Sequence, residues 1–434
     1  MNNRRVGHRR SFAARVERTV RGWTAELGPG VITGAADDDP SGIATYSQSG
    51  ARFGYALLWT IPLTYPLLAA VQLVSAHIGR VTGGGLAKAF ERSFPKPVVA
   101  LLVCILLIAN ICNIGADLSA MGSSAELVIG GDDRLYVIGF AILSAGLQLF
   151  IPYARYARVL KWLTLSLFAY LAVVFLVHID WHRALVGLVW PTNLGTGALL
   201  TVVAIFGTTI SPYLFFWQSA EEAEEIAVSP TEEPLERTPR RARAEFRAIR
   251  FDTLVGMAFA HIIALAIMLA TAATLNANGI TDIGTAADAA EALQPLAGRF
   301  ASALFALGII GTGMLGVPVL AGSAAFAVAE ALGWKEGLEY EPQEAVRFYS
   351  IIVAAMILGV ALDWFGLNPM KALFWSAVLN GVAAVPIMVA MMVVAHRREI
   401  MGRFIERLPV MIFGWAATLI MALASGAMLA TSLM

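Results

Sequence analysis

The chain alternates long apolar runs with short polar or basic connections. A helix that crosses a membrane needs about 20 predominantly apolar residues. By that measure the pattern predicts eleven spans, at about 29–51, 55–79, 97–128, 135–152, 158–178, 197–218, 251–275, 300–331, 347–364, 368–395 and 408–432. Two of them are interrupted. The first carries Asp37-Asp38-Asp39-Pro40-Ser41-Gly42 between apolar arms, and the sixth carries Gly207-Thr208-Thr209-Ile210-Ser211-Pro212-Tyr213. One Asp at the centre of a membrane helix costs about 2.5–3.5 kcal/mol on insertion scales, so three in a row demand a reason. Proline removes a backbone donor and clashes with a continuing helix, while Ser41-Gly42 offers a flexible exit. A broken helix follows, with bare carbonyls and at least one carboxylate facing an aqueous or ion-filled cavity. That is a cation site; the plain alternative is a loop between two short helices.

Composition agrees with the spans. The chain is 58% hydrophobic and 14% charged, with mean hydropathy +0.70, where ordinary soluble domains are about 25% charged. The expected class is an all-α polytopic membrane protein. Its Arg-rich start is not followed by a short apolar run with a small-residue cleavage site, so no cleavable signal peptide is apparent. With the N-terminus inside, the outer connections hold only Arg52, Arg134, Arg183, Arg299 and Lys371 of the 31 Lys and Arg, as the positive-inside rule requires. Residues 1–28 are then a basic cytoplasmic segment, with a candidate amphipathic helix at Ser11–Leu27, and the C-terminus lies outside. Residues 29–434 form one transmembrane domain. Its connection 219–250 is a charged cytoplasmic loop, a solvated and partly helical excursion, acidic first (Glu221, Glu222, Glu224, Glu225) and basic after (Arg240, Arg241, Arg243).

Several polar features receive structural readings. Cys104 and Cys112 are eight residues apart in one apolar run, about 12 Å of helix rise, too far to pair on a straight helix. Gly83-Gly84-Gly85 lacks a following Lys-Ser/Thr and reads as a flexible connection, not a phosphate loop. His178-Ile179-Asp180-Trp181-His182 falls just beyond a span, where interfacial Trp and His are common, and has no fixed zinc geometry. His261 reads as a packed histidine. The glycine-rich eighth span (Gly308, Gly311, Gly313, Gly316, with Pro318) permits close helix approach or local unwinding. Asn110, Asn113 and Asp117 stand in the third span, and Asn380-Gly381 in the tenth. No nucleophile–base pair or open zinc site of recognisable spacing is present, so neither an enzyme nor a resident cofactor is expected.

The two breaks are five spans apart. Because five is odd, two units of five spans, about 29–180 and about 196–395, insert with opposite orientation, and an extra helix follows at about 408–432. An inverted repeat with discontinuous first helices is an arrangement in which transporters bind ions near the midplane. Half-helices ending near Asp37 and Thr208 point their carbonyl ends at the gap, and Asp39 adds a carboxylate. Carboxylate, carbonyl and water suit magnesium, calcium or manganese better than softer metals. Gly42 and Ser211 are small and leave room for water, of which magnesium usually keeps several.

These residues resemble the Nramp family of divalent-metal transporters, which has the LeuT-like fold. The family's first-helix pattern is Asp-Pro-Gly-Asn, then Thr/Ser, Gln, Gly-Ala, Gly-Tyr and Leu-Leu-Trp. Here it reads Asp39-Pro40-Ser41-Gly42, then Thr45, Gln48, Gly50-Ala51, Gly54-Tyr55 and Leu57-Leu58-Trp59. The family's Gly-Ala-Thr-Val-Met-Pro-His on the sixth helix is Gly207 to Tyr213 here. Asp117-Leu118 and Gly122-Ser123 keep the approximate spacing of its third-helix motif. The departures carry information. Gly42 stands where the family has an asparagine ligand, and Ser211 where it has a methionine that favours soft metals. Tyr213 and Gln218 replace two histidines, and Ala120 a glutamate.

This combination is similar to the family's magnesium-transporting branch, whose larger site admits hydrated magnesium and also manganese. The resemblance implies Asp39 as the anionic ligand, with Gly42, the Thr208 carbonyl and Ser211 beside it, and Pro40, Pro212, Tyr213 and Asp117 in support. It implies a plasma (inner) membrane importer of divalent cations, preferring magnesium and passing manganese by alternating access, without obligatory proton coupling. The partners are then the ion and the bilayer, with no nucleic acid, and the chain is read as a monomer. Three alternatives stay open. One is a proton-coupled manganese or iron carrier of the main branch, with Asp117 as proton acceptor. Another is a LeuT-like carrier of an organic substrate, and the last is a membrane receptor without transport.

Overall fold

Backbone groups inside a bilayer have no water to bond, so an apolar chain folds into helices that satisfy their own amides. The computed structural model describes residues 33–34, 36–151, 164–192, 195–228 and 233–432, and every regular element among them is a helix. The main ones are α1 (Pro40–Phe53), α2 (Thr60–Thr82), α3 (Lys96–Ile129), α4 (Asp133–Phe150), α5 (Phe168–Leu176) and α6 (Thr196–Thr209). They continue as α7 (Pro212–Val228), α8 (Ala242–Thr274), α9 (Ala301–Leu332), α10 (Val346–Asp363), α11 (Pro369–His396) and α12 (Leu408–Ser432). Among the described residues, nine stretches are long and apolar enough to cross a membrane, so this is a multi-pass membrane protein.

The first and fifth expected spans differ from the rest. The first is interrupted: residues 33–34 and 36–37 are helical, the helix stops at Asp38 and Asp39, and the 14-residue α1 that follows is too short to cross alone. The fifth is represented by Leu165–Leu176. Residues 152–163, with Arg155–Lys161 of the basic connection, lie outside the described residues, as does the basic segment 1–28 with Ser11–Leu27.

Burial separates an inner set of helices from an outer one. In the Gly197–Ala227 stretch, which contains the second break, 89% of the most apolar residues are buried, against 22% in α4 and 33% in α10 and α12. The broken helices therefore form the centre. Trp217, Phe215 and Phe216 in the first half of α7, which is apolar all round, have no appreciable exposure. The glycine-rich α9 runs unbroken through Pro318 and lies along α3, so its small residues serve close approach and not unwinding.

Three expectations change in detail. The acidic half of 219–250 is helical, because α7 continues to Val228 and carries Glu222 at 2% exposure. Gln218 Nε2 donates to buried Glu222 Oε1 at 3.3 Å, while Arg80 reaches the exposed Glu225 at 3.4 Å and Glu245 at 2.7 Å. The connection proper shrinks to 229–241, of which 229–232 lie outside the described residues. The triple glycine is pinned: the amides of Gly85, Ala87 and Lys88 donate to the carboxylate of Glu330 on α9. Asp180 caps an unforeseen helix, Trp181–Val189, and pairs with Arg183 at 3.2 Å. His261 is packed, its ring 3.2 Å from Thr64 Oγ1 and 2.9 Å from the Met257 carbonyl.

Candidate ion site at the two helix breaks

Both breaks follow from one backbone rule. A helical carbonyl accepts from the amide four residues later, and proline has no such amide. Pro40 therefore deprives Ala36, and Pro212 deprives Thr208, while each proline sits at the start of the next helix, where its missing donor does no harm. The two orphaned carbonyls find different substitutes. Tyr213 donates its hydroxyl to the Ala36 carbonyl at 3.1 Å, across the gap between the breaks. Ser211 turns its hydroxyl back onto the carbonyls of Gly207 at 2.7 Å and Thr208 at 2.8 Å.

Asp39 is the N-cap of α1, with extended backbone (φ −69°, ψ 171°), and its carboxylate accepts the Gly42 amide at 2.8 Å. The same oxygen, Oδ1, accepts Ser41 Oγ at 2.7 Å. The other, Oδ2, accepts Asn113 Nδ2 at 3.2 Å and shares with the Ala36 carbonyl the one proton of Tyr213 OH, 3.1 Å from each. A carboxylate offers about four lone-pair positions, and all four are taken. Ser41 has one proton and gives it to Asp39, so at the 3.2 Å contact between Ser41 Oγ and Thr208 Oγ1 the donor is Thr208. Likewise Thr209 donates to the Ile205 carbonyl, leaving Tyr46 as donor in the 2.8 Å contact between Tyr46 and Thr209. Tyr213 directly, and Thr208 through Ser41, thus link the second break to the carboxylate of the first.

Helix α3 supplies the third wall. Asn113 and Asp117, one turn apart, share the face turned to α1 and α9; both are fully buried. Gly316 of α9 stands between the two carboxylates: a Cβ there would lie 3.3 Å from Asp39 Cβ and 3.8 Å from Asp117 Oδ2. Neither oxygen of Asp117 has a hydrogen-bond partner among the described residues, nor has Asn113 Oδ1 or Asp37 Oδ1. One further turn along α3, Met121 Sδ lies with the Pro40 ring against Gly313. On α11, Gly381 meets Gly207 backbone to backbone, and Asn380 beside it is buried with neither amide atom bonded.

All eight residues expected at the site converge here. Asp39, Gly42, Thr208 and Ser211 line the breaks, Pro40 and Pro212 start the following helices, Tyr213 bonds Asp39, and Asp117 faces it across Gly316. Two details differ from expectation. The Asp39 carboxylate turns to the amide end of α1 and not to the carbonyl ends, because a helix N-terminus stabilises negative charge. Ser211 and Gly42 leave less open space than their size suggests, since Ser211 bonds the Thr208 carbonyl and a Cβ on Gly42 would lie 3.3 Å from Thr208 Oγ1. Sequence reasoning missed Asn113 and Ser41 as partners of Asp39, and Gly316 as the spacer. The four-residue interval from Asn113 to Asp117 was the available signal. Among the described residues, no three His, Cys, Asp or Glu side chains form a cluster that could hold a metal. The site instead mixes two carboxylates with amide, hydroxyl and carbonyl oxygens.

Comparison with known proteins agrees with this architecture. Residues 30–431 match the family model described as natural resistance-associated macrophage protein-like, Nramp. The chain is similar to the divalent metal cation transporter MntH of Burkholderia ambifaria, 28% identical over 408 residues that cover 91% of this chain and 86% of that one. It is also similar to MntH of Chromohalobacter salexigens, 26% identical over 412 residues, 92% and 90% of the two chains. Among solved structures, the Eremococcus coleocola manganese transporter superposes with TM-score 0.72 at 17% identity, covering 92% of this chain and 85% of that chain. A sodium-coupled sialic acid symporter superposes with TM-score 0.59 at 13% identity, covering 92% and 88%. These likenesses establish the LeuT-like fold. With nearly its whole length matched by the family model, the chain belongs to the Nramp family.

Proposed function

We propose that this protein carries divalent metal cations across the membrane by alternating access, preferring magnesium, accepting manganese, and moving them without obligatory proton coupling. The observation that carries this reading is a buried, oxygen-rich cluster of side chains built around the two proline breaks. Asp39 and Asp117 supply charge there, Ser41, Thr208 and Asn113 supply neutral oxygens, and no basic side chain answers them. Arg80 is the one buried Lys or Arg among the described residues, and it pairs with Glu225 and Glu245. Such donors suit hard cations. The relatives named divalent metal cation transporters support the broad substrate class. Gly42 and Ser211, which bring neither an amide nor a thioether ligand, support the magnesium preference. In this proposal the chain works as a monomer in the inner membrane, with its N-terminus in the cytoplasm and its C-terminus outside.

The test is ion flux into proteoliposomes with simultaneous measurement of internal pH. Magnesium and manganese are expected to enter without stoichiometric acidification. Iron, manganese or cadmium uptake coupled to acidification, with no magnesium flux, would replace this reading with a proton-coupled carrier. That second reading is favoured by the bare carboxylate of Asp117.

A further inference from the structure

The two buried carboxylates beside Gly316 are in opposite states. Asp39 has four donors on its two oxygens, whereas Asp117 has none among the described residues. Asp117 is fully enclosed, so water does not compensate from a surface. A buried carboxylate without a partner is among the costliest arrangements a fold can hold, and it persists where something else supplies the missing charge or donor. The neighbouring atoms point to what that is. Asn113, one turn away, gives its Nδ2 to Asp39 and leaves its Oδ1 unbonded, so an acceptor and a carboxylate stand together with no donor between them. Gly316 brings no side chain into the space they share with Asp39. The unbonded oxygens of Asp117 and Asn113 form a buried patch complementary to a cation.

We infer that Asp117 is a direct second carboxylate ligand for the transported divalent cation, completing with Asp39 and Asn113 Oδ1 a site on α3 as well as on the two breaks. This rests on the proposed divalent-cation function and deepens it. Two carboxylates neutralise a divalent ion, which compensates for the neutral ligands that Gly42 and Ser211 do not supply. An amide that already spans the gap to Asp39 needs only to reverse its ends to present oxygen to the ion. The ion then enters between α3 and α9 at the level of Gly316, exchanging the Asn113 donor for a metal contact while Ser41 and the Gly42 amide keep hold of Asp39.

The test is isothermal titration of Mg2+ and Cd2+ into the purified full-length chain in nanodiscs, comparing wild type with Asp117→Asn and Asp117→Cys. Asp117→Asn keeps the shape and should weaken Mg2+ binding at least tenfold. Asp117→Cys should weaken Mg2+ similarly and strengthen Cd2+ at least tenfold, because a thiolate in contact with the ion favours a soft metal. The native Cys104 and Cys112 are free in every variant and set a common background. Loss of Mg2+ affinity without the Cd2+ gain would overturn the ligand role, leaving Asp117 as a distant charge; unchanged affinities for both ions would overturn it outright. Should Asp117→Cys not fold, Gly316→Ala decides: a methyl placed between the carboxylates should lower Mg2+ affinity severalfold, and an unchanged affinity refutes the shared space. A wild-type chain that binds neither Mg2+ nor Mn2+ removes the proposed function itself, and this inference with it.

Discussion

The two proline breaks are built alike and repaired differently. Each places proline at the start of a helix and strands the carbonyl four residues before it. The second break mends itself, with Ser211 bonding carbonyls of its own last turn. The first depends on its counterpart: its carbonyl takes the Tyr213 hydroxyl, and its carboxylate takes Tyr213 and, through Ser41, Thr208. A self-contained break can move as one body. A dependent break is closed only while its partner is docked, so separating the two would release the Ala36 carbonyl and an Asp39 oxygen in one step.

The hardest blow to this comparison is Asp39→Ala. It removes the acceptor for four donors and the charge at the centre of the site, and magnesium uptake in liposomes should cease. Each stranded buried donor costs about 1–3 kcal/mol, so the folded state is checked by size-exclusion chromatography, with Asp39→Asn as the isosteric control. Near-normal flux in a folded Asp39→Ala protein would make the first break no more than a structural kink. Next comes Gly42→Asn combined with Ser211→Met, which gives each break a side-chain ligand it lacks. Preference should move from magnesium towards manganese by about tenfold, which corresponds to about 1.4 kcal/mol. An unchanged ratio in competition flux assays would mean that selectivity is set elsewhere. The smallest change is Tyr213→Phe, which deletes one proton shared between the Ala36 carbonyl and Asp39 Oδ2, both 3.1 Å away. A loss of about 1 kcal/mol is expected, visible as a lower Tm in detergent, with tighter magnesium binding as an Asp39 lone pair comes free. If neither moves, the first break does not depend on the second.

The sequence disclosed the breaks because proline and charge are anomalies against an apolar background, and each acts locally. The positions of α3, α9 and α11 were legible for the same reason, as apolar length alone determines a span. The partnership of Asn113 with Asp39 was half visible. Its four-residue spacing from Asp117 puts both on one face, but nothing local says which face meets α1. Contacts between distant segments left less trace. The bond from the Gly85 amide to Glu330 joins residues 245 apart, and a triple-glycine loop without a phosphate-binding lysine gave no hint that a carboxylate would fill it. Acidic residues 221–225 suggested a solvated, partly helical excursion because charge usually seeks water, and the burial of Glu222 is the part that went unseen. They are helical because α7 has momentum from its apolar half and because Gln218 and Arg80 stand ready as partners.

The four donors around Asp39 also bear on how a carrier returns after delivering its load. A site that stays charged and unsolvated when vacated resists crossing the membrane empty, and that resistance throttles turnover or ties it to a co-transported ion. Here the protein furnishes an internal substitute for the cargo at one of the two carboxylates: two hydroxyls, an amide and a carboxamide hold the Asp39 charge, while Asp117 has no such donor among the described residues. In the proposed uncoupled cycle, Asp39 is thereby held without cargo, and the bare Asp117 is the group whose charge decides whether the unladen form returns alone.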